Sequence, residues 1–142
     1  MTLQRAIEIA AEAHRGQTDK YGAPYLGHVT RVMNLGRTEE EKICGVLHDV
    51  VEDTDWTFER LESEGFSPVI IEALRCVTKL SEGEDYEHFV QRTLQNRLAC
   101  LVKLNDLTDN MDVRRMPVVT EKDVARLNKY LKAYHTISKA LI

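Results

Sequence analysis

The stretch TEEEKICGVLHDVVEDT, residues 38–54, decides the fold of this chain. Thr38 and Glu41 have the spacing of a capping box, which marks the start of a helix. The apolar residues that follow recur at helical intervals and predict a largely buried helix: Ile43, Val46, Leu47 and Val50. The same spacing places the polar residues of the stretch on one face of that helix: His48, Asp49, Glu52 and Asp53.

Helical periodicity continues on both sides of this stretch, and the alternation typical of strands is nearly absent. We predict further helices over residues 3–14, 28–35, 57–64, 67–79 and 86–110, the last in two pieces, and a final helix that begins at Thr120. The glycines and the proline within residues 16–27 predict a loop there. The fold class is therefore all-α, a bundle of about seven helices that forms a single domain over residues 1–142.

The composition excludes several classes of protein. The 142 residues are 43% hydrophobic and 30% charged, which does not fit a disordered chain. No apolar run approaches the ~20 residues of a membrane span, and the first residues lack a signal-peptide pattern. We therefore expect a cytoplasmic protein without a membrane partner. The net charge of −4 argues against non-specific binding to nucleic acid. The three cysteines predict buried free thiols: Cys44, Cys76 and Cys100.

Three places in the sequence supply side chains that bind divalent metals. His48 and Asp49 lie between apolar residues, His14 ends the first helix on its apolar face, and Asp106 interrupts an apolar helical pattern. A carboxylate near a core needs a partner or a metal ion. Imidazole and carboxylate together suit Mn²⁺, Fe²⁺ or Zn²⁺ better than Ca²⁺. Two other interpretations stay open at this point: His14 as a packed core histidine, and the acidic residues as a solvated helix end.

These residues stand in motifs that resemble a known family. His14, the pair His48-Asp49 and Asp106 resemble the metal signature of HD-domain phosphohydrolases. The chain also resembles the hydrolase domain of the RelA/SpoT alarmone enzymes, through AHRGQ (13–17), GAPYLGH (22–28), LHDVVEDT (47–54), VTKL (77–80) and KLND (103–106) followed by Asn110-Met111. The resemblance covers roughly residues 3–135 and only the hydrolase part of the pattern, so we expect a stand-alone small alarmone hydrolase.

The resemblance implies roles residue by residue. It implies a metal site formed by His14, His48, Asp49 and Asp106, with Mn²⁺ as the usual ion, and it leaves His28 a supporting or structural role. Glu52 and Asp53 match the acidic pair that orients or activates the attacking water. Candidate contacts to the nucleotide are Arg5, Lys79, Lys103, Asn110 and Tyr130. The implied reaction removes the 3′-diphosphate of guanosine 3′,5′-bis-diphosphates and yields GDP or GTP and pyrophosphate.

Two departures from the longer family members leave the substrate open. Residues 18–20 read Thr-Asp-Lys where those members usually have an arginine, and Leu107 replaces an arginine after Asp106. Both changes spare the proposed ligands but remove cations that could meet phosphates. The alternatives are an HD phosphohydrolase for another phosphorylated nucleotide and a non-catalytic nucleotide sensor, and the intact Glu52-Asp53 pair argues against the sensor. Whether the chain forms a homo-oligomer stays open.

Overall fold

A computed structural model describes residues 2–142, and these residues form an all-α fold. The helices are α1 (Leu3–Ala13), α2 (Tyr25–Leu35), α3 (Glu39–Leu47), α4 (Val50–Asp53), α5 (Phe58–Ser63), α6 (Pro68–Cys76), α7 (Tyr86–Thr93), α8 (Arg97–Asn110) and α9 (Glu121–Ala140), with a 3₁₀ helix at Val113–Arg115. No strand forms within residues 2–142, where Thr18 and Pro24 make one isolated β-bridge. The predicted fold class is confirmed.

The helix count exceeds seven because two predicted helices are each divided. The division over residues 86–110 agrees with the prediction of two pieces. The division over residues 38–54 does not, because α3 ends at Leu47 and α4 begins at Val50. The backbone of Asp49, with φ −106° and ψ 0°, leaves the helical region at this point. His48 and Asp49 therefore lie at a bend between two helices, and the prediction of one continuous helix face is wrong.

The start of α3 has one of the two hydrogen bonds of a capping box. The hydroxyl of Thr38 accepts a hydrogen bond from the backbone N–H of Glu41, 3.1 Å away, as an N-cap residue does. The side chain of Glu41 is buried and instead accepts a hydrogen bond of 2.7 Å from the amide of Asn105 in α8. Glu41 thus ties α3 to α8 rather than closing a capping box.

Two clusters of buried side chains share helix α8. The larger cluster includes residues of α1, α2, α3, α4, α5, α6 and α8, with α3 in contact with α1, α2, α6 and α8. The smaller cluster joins α7, α8 and α9 through Val90, Cys100, Leu107, Ala133 and Ile137. Cys44, Cys76 and Cys100 are buried free thiols, as predicted. Because α8 lies between the two clusters, its polar residues are held by rigid surroundings on both sides.

A glycine lets α2 and α3 approach closely. A Cβ atom at Gly45 would lie 3.2 Å from the backbone N and Cα of Met33, closer than ordinary packing allows. This contact brings the helix that carries His28 against the helix that ends just before His48. Helix α2 begins at Tyr25, three residues earlier than predicted, so His28 lies in its first turn and is buried.

The segment between α6 and α7 is irregular. Helix α6 ends at Cys76, three residues before the predicted end, and residues 77–85 form a loop that leads into α7. This loop carries Lys79 past the bend between α3 and α4. None of the helices in residues 2–142 combines the length and the apolar character needed to cross a membrane.

Candidate metal centre

Four side chains from three parts of the fold meet at one point. They are His28 of α2, His48 and Asp49 of the bend, and Asp106 of α8, and one ligand atom from each lies within 4.8 Å of all the others. His48 Nε2 is 3.0 Å from Asp49 Oδ2 and 3.1 Å from Asp106 Oδ1. His28 Nε2 is 3.0 Å from Asp106 Oδ1 and 3.6 Å from Asp49 Oδ2.

The hydrogen bonds on the far side of each imidazole decide which nitrogen faces this point. His48 Nδ1 lies 2.6 Å from the carbonyl oxygen of Gly45, which can only accept, so Nδ1 carries the hydrogen. His28 Nδ1 lies 2.7 Å from Asp109 Oδ2 and donates in the same way. In the neutral rings both Nε2 atoms therefore point a lone pair at the carboxylates. Two lone pairs and two carboxylates at such distances require a cation, and this donor set fits a divalent metal ion.

The charges of the cluster shift its pKa values in the direction that supports this conclusion. Burial lowers the pKa of His48, but the charges of Asp49 and Asp106 outweigh burial and raise that pKa well above its usual value. Burial raises the pKa of Asp49, and the charge of His48 outweighs it, so that the pKa falls to about 2. Without a metal ion the imidazoles thus hold protons between ionised carboxylates. A divalent cation would displace those protons.

Polar groups around the cluster hold the two carboxylates in place. The ammonium of Lys103 lies 2.9 Å from Asp106 Oδ2, and the amide of Asn110 donates to Asp106 Oδ1 over 3.1 Å. The hydroxyl of Tyr25 donates to Asp49 Oδ2 over 2.5 Å. Both carboxylates are therefore oriented before any ion binds, which favours metal binding.

A pocket opens beside the cluster. The predicted site residues that line it are His48, Asp49, Glu52, Lys79, Lys103, Asp106, Asn110 and Tyr130. Five further lining residues come from α2, the loop after α6, α7 and α9: Tyr25, Val77, Tyr86, Phe89 and Lys129. The structure thus brings together most of the residues that the motifs single out, although they are spread over more than half of the chain.

The acidic pair after the bend is divided between two surfaces. Glu52 lines the pocket, and its Oε1 accepts a hydrogen bond of 3.1 Å from the backbone N–H of Lys79. Asp53 lies in the grooves next to the pocket instead, and one of these grooves is shared with Glu52 and Lys79. Burial, together with the negative charges of Asp49 and Glu52, raises the pKa of Asp53 to about 6.

The structure places His14 and Arg5 outside the metal cluster and the pocket lining. Gln17 donates its amide N–H to the carbonyl of Asp53, so its Oε1 accepts the Nδ1–H of His14 over 2.8 Å. His14 is 2% exposed, and its Nε2 has no hydrogen-bond partner among the described residues. Arg5 forms a bidentate ion pair with Glu64, with distances of 2.8 and 3.0 Å, which keeps its guanidinium away from the pocket.

His28 takes the place in the cluster that the motifs assign to His14. A signal for it exists in the sequence, because His28 closes the GAPYLGH motif four residues after Pro24, the N-cap of α2. No pattern singles out Lys129 or the aromatic residues Tyr86 and Phe89. Their role in the pocket depends on how α7 and α9 pack against α8.

Comparison with known proteins agrees with this geometry, although no family model matches the chain. A guanosine-3′,5′-bis(diphosphate) 3′-pyrophosphohydrolase of Aquifex aeolicus is 33% identical over 120 residues, which cover 77% of this chain and 17% of that protein. The bifunctional (p)ppGpp synthase/hydrolase SpoT of Escherichia coli is 30% identical over 123 residues, with the same coverage of 77% and 17%. The chain therefore spans less than a fifth of the length of these relatives.

A solved structure matches almost the whole fold. It belongs to a metazoan protein described as an ortholog of SpoT that hydrolyses ppGpp, and it superposes with a TM-score of 0.75 at 26% identity. The match covers 95% of this chain and 84% of that one. The fold and the His48-Asp49 cluster thus define an HD-type helical domain. Within that class, the chain is a RelA/SpoT hydrolase-like domain.

Proposed function

We propose that this chain is a metal-dependent phosphohydrolase that removes the 3′-diphosphate of guanosine 3′,5′-bis(diphosphate) and releases pyrophosphate. The observation that carries the proposal is the cluster of two imidazoles and two carboxylates beside a pocket lined with lysines, to which His48, Asp49 and Asp106 contribute. The names of the relatives from Aquifex aeolicus and of the metazoan protein describe this activity for those proteins.

The metal ion would be held by His28, His48, Asp49 and Asp106. We propose Mn²⁺, because mixed nitrogen and oxygen ligands suit a first-row divalent ion. When bound, such an ion supplies Lewis-acid polarisation of a phosphoryl oxygen and lowers the pKa of a coordinated water. Everything else in the reaction falls to the side chains of the pocket.

Three lysines would neutralise the diphosphate. Lys103 is buried beside Asp106, so its charge is already shared with that carboxylate. Lys79 and Lys129 also line the pocket, and neither has a carboxylate within ion-pair distance in residues 2–142. A polyanionic ligand would supply the missing partners through charge-assisted hydrogen bonds. A chain with net charge −4 thus keeps positive charge where phosphate would bind.

We propose Glu52 as the general base. Its Oε1 is engaged by the N–H of Lys79, so Oε2 is the oxygen that takes a proton from the attacking water. The water oxygen forms a bond to the phosphorus attached to O3′, and the bond from that phosphorus to O3′ breaks. The protonated Glu52 returns its proton to O3′, so that pyrophosphate and GDP with a free 3′-hydroxyl are released. The pKa of Asp53 is raised to about 6, so this carboxyl takes up a proton beside Glu52 at mildly acidic pH.

Asn110 and the aromatic residues would contact the nucleoside. Asn110 lies at the end of α8 next to Asp106, and an uncharged amide suits a ribose or base edge better than a phosphate. The rings of Tyr86 and Tyr130, with centroids 6.3 Å apart, form one wall of the pocket. Arg5 has no part in this proposal, because Glu64 engages its guanidinium.

One observation supports a second candidate substrate, another phosphorylated nucleotide. In the loop where the longer family members usually have an arginine, this chain has Asp19, and its carboxylate lies 3.1 Å from Arg115. Position 19 therefore contributes an ion pair rather than a further cation, and Lys20 is the neighbouring cation of the loop. A substrate with fewer phosphates would depend less on a cation at position 19.

Product analysis with a panel of nucleotides tests the proposal. The Mn²⁺-loaded protein is incubated with guanosine 3′,5′-bis(diphosphate), its adenosine analogue and GTP, and the products are separated by ion exchange. We expect GDP and pyrophosphate from the first substrate and no products from GTP. Faster cleavage of the adenosine analogue would favour another nucleotide. Tight binding of every ligand without any product would identify a sensor and contradict the proposal.

A further inference from the structure

Behind the metal cluster lies a carboxylate that the proposed reaction does not use. Asp109 follows Asp106 by three residues on α8, and its side chain is 5% exposed. It accepts hydrogen bonds from His28 Nδ1 at 2.7 Å, from Arg31 at 2.7 and 3.2 Å, and from Arg115 at 3.0 Å. A carboxylate offers about four acceptor sites, so these contacts saturate it.

The three residues that donate to Asp109 come from two parts of the fold, α2 and the 3₁₀ helix. Arg31 lies on α2, one turn after His28, so one carboxylate bridges two side chains of the same helix. Arg115 comes from the 3₁₀ helix after α8 and also donates to the backbone carbonyl of Asp109, 3.0 Å away. Its other nitrogen reaches Asp19, at 3.1 Å, in the loop before α2. Asp109 is therefore fixed from three directions.

The two imidazoles of the cluster are oriented by different kinds of partner. His48 is held by the carbonyl of Gly45, a backbone group. His28 is held by Asp109, a side chain. Because an acceptor at Nδ1 fixes both the tautomer and the plane of the ring, each partner decides whether Nε2 is available to an ion. Of these two hydrogen bonds, only the one made by His28 can be removed by substituting the side chain that accepts it.

We propose that Asp109 is a positioning residue that fixes His28 as an Nε2 metal ligand, with Arg31 and Arg115 holding the carboxylate in place. The inference rests on the metal site of the proposed function. It assigns a task to a buried carboxylate that the proposed reaction leaves unused. Because Arg115 also binds Asp19, the same network connects the loop of residues 15–24 to the metal ligand.

Calorimetric titration of the metal-free protein with Mn²⁺ tests the proposal without any nucleotide. We expect Asp109→Asn to weaken Mn²⁺ binding roughly 10- to 100-fold, the usual effect of losing a partner of a metal-bound histidine. Asp112→Asn is the matched control, because Asp112 pairs with the exposed Arg114 and does not touch His28. The control should bind Mn²⁺ as the unchanged protein does.

A double-mutant cycle separates positioning from a general loss of structure. If Asp109 acts through His28, adding Asp109→Asn to His28→Gln costs no further Mn²⁺ affinity. An equal loss in both backgrounds would overturn the proposal, as would Mn²⁺ binding unchanged by Asp109→Asn or absent from the unchanged protein. Should Asp109→Asn fail to fold, Asp109→Glu keeps both guanidinium groups paired while moving the acceptor, and it should also weaken binding.

A second measurement tests the proposed function independently of the role of Asp109. Pyrophosphate release is measured on the same samples with guanosine 3′,5′-bis(diphosphate). If the cycle behaves as expected but the unchanged protein releases no pyrophosphate, the proposed reaction fails and the role of Asp109 stands. If pyrophosphate is released with normal Mn²⁺ affinity in Asp109→Asn, the reaction stands and the role of Asp109 fails.

Discussion

The two oxygens of Glu52 have different surroundings, and this difference makes the residue testable. Oε1 accepts a hydrogen bond from the N–H of Lys79, whereas Oε2 forms no hydrogen bond within residues 2–142, and the residue lines the pocket. Glu52→Gln keeps an oxygen for Lys79 but removes the base. We predict that turnover falls roughly 10²- to 10⁴-fold while Mn²⁺ affinity changes little. Steady-state kinetics and Mn²⁺ titration on the same sample measure both quantities.

The matched control for this prediction is Glu59→Gln, since Glu59 is an exposed residue of α5 outside the pocket. It should retain the kinetics of the unchanged protein. If Glu52→Gln turned over substrate at a comparable rate, Glu52 would be an ordinary acidic residue at a helix end, and the water would need no protein base.

Asp53 gives a prediction about pH. Burial and the charges of Asp49 and Glu52 raise its pKa to about 6 in the folded, metal-free protein, whereas an unfolded aspartate titrates near ~3.9. Between these values the folded state binds more protons, so the contribution of Asp53 to the free energy of unfolding decreases as pH rises from about 4 to about 6. Because the side chain is still accessible to solvent, which screens these charges, we expect no more than about 1 kcal/mol.

Asp53→Asn removes the titrating carboxyl and, with it, the loss of stability that accompanies its ionisation. In the metal-free state, the free energy of unfolding of the variant should rise relative to the unchanged protein between pH 4 and 6, then stay constant above that window. Urea unfolding at several pH values measures the difference. A difference that is the same at every pH would mean that Asp53 titrates normally.

His14 and His28 show what the sequence can and cannot decide about single residues. Both are buried, both stand in motifs, and both donate from Nδ1 to a nearby oxygen. Only the path of the chain separates them, because α2 packs against α3 and carries His28 to the bend, while His14 meets the ring of Tyr25. Residue type and spacing predicted the kind of site but not which histidine completes it.

At the scale of the elements, the loop between α6 and α7 forms the wall of the pocket that carries Lys79. Arg92 of α7 holds this wall, with hydrogen bonds to the carbonyls of Arg75 and Thr78 at 3.1 and 2.8 Å. It also pairs with Glu84 through two bonds of 2.8 and 2.9 Å, and this pairing lowers the pKa of Glu84 to about 2. One arginine thus connects both ends of the loop to α7.

We predict that Arg92→Ala loosens this wall and raises KM more than it lowers kcat, because Lys79 would lose its fixed position. The free energy of unfolding should fall by about 2 kcal/mol as the bonds to charged groups are lost. Arg97→Ala, a change at an exposed arginine that starts α8, is the control for both measurements. If KM stayed unchanged while stability fell, the loop would have no part in substrate binding.

Helix was predicted correctly on both sides of the bend after α3, but the bend itself was not predicted. Apolar spacing through Val50 gives no sign of a break, and the capping signal at Thr38 fixes only the start. The break at residues 48–49 leaves His48 Nδ1 to bind the carbonyl of Gly45. Tertiary contacts at the metal cluster decide this feature, so local sequence patterns do not contain it.

For the molecule as a whole, the metal cluster joins three separate parts of the chain. The prediction of a mixed nitrogen and oxygen site followed from residue types, whereas its assembly depends on the packing of α2, α3 and α8, which brings together His28 and Asp106, 78 positions apart in the sequence. Motif order predicted the fold and most of the pocket lining. The residues from α7 and α9 could not be predicted, because no motif marks how those helices pack.

Metal binding should therefore stabilise the entire domain. At free Mn²⁺ of about 100 times its dissociation constant, linkage gives about 2.7 kcal/mol, which for a chain of this size raises Tm by roughly 5–10 °C. His28→Gln should remove most of this shift, and His14→Gln should retain it. Differential scanning calorimetry with and without Mn²⁺ measures it, and an equal shift in all three proteins would place the ion elsewhere.

The central claim is that one divalent ion in this cluster enables hydrolysis at the 3′-diphosphate. The most direct test adds Mn²⁺ stepwise to metal-stripped protein in the presence of guanosine 3′,5′-bis(diphosphate) and follows the products by phosphorus NMR. We predict that activity rises with Mn²⁺ until each chain holds one ion, and that GDP and pyrophosphate are the products. Full activity in the metal-stripped protein, or orthophosphate released from the 5′ position, would contradict the claim.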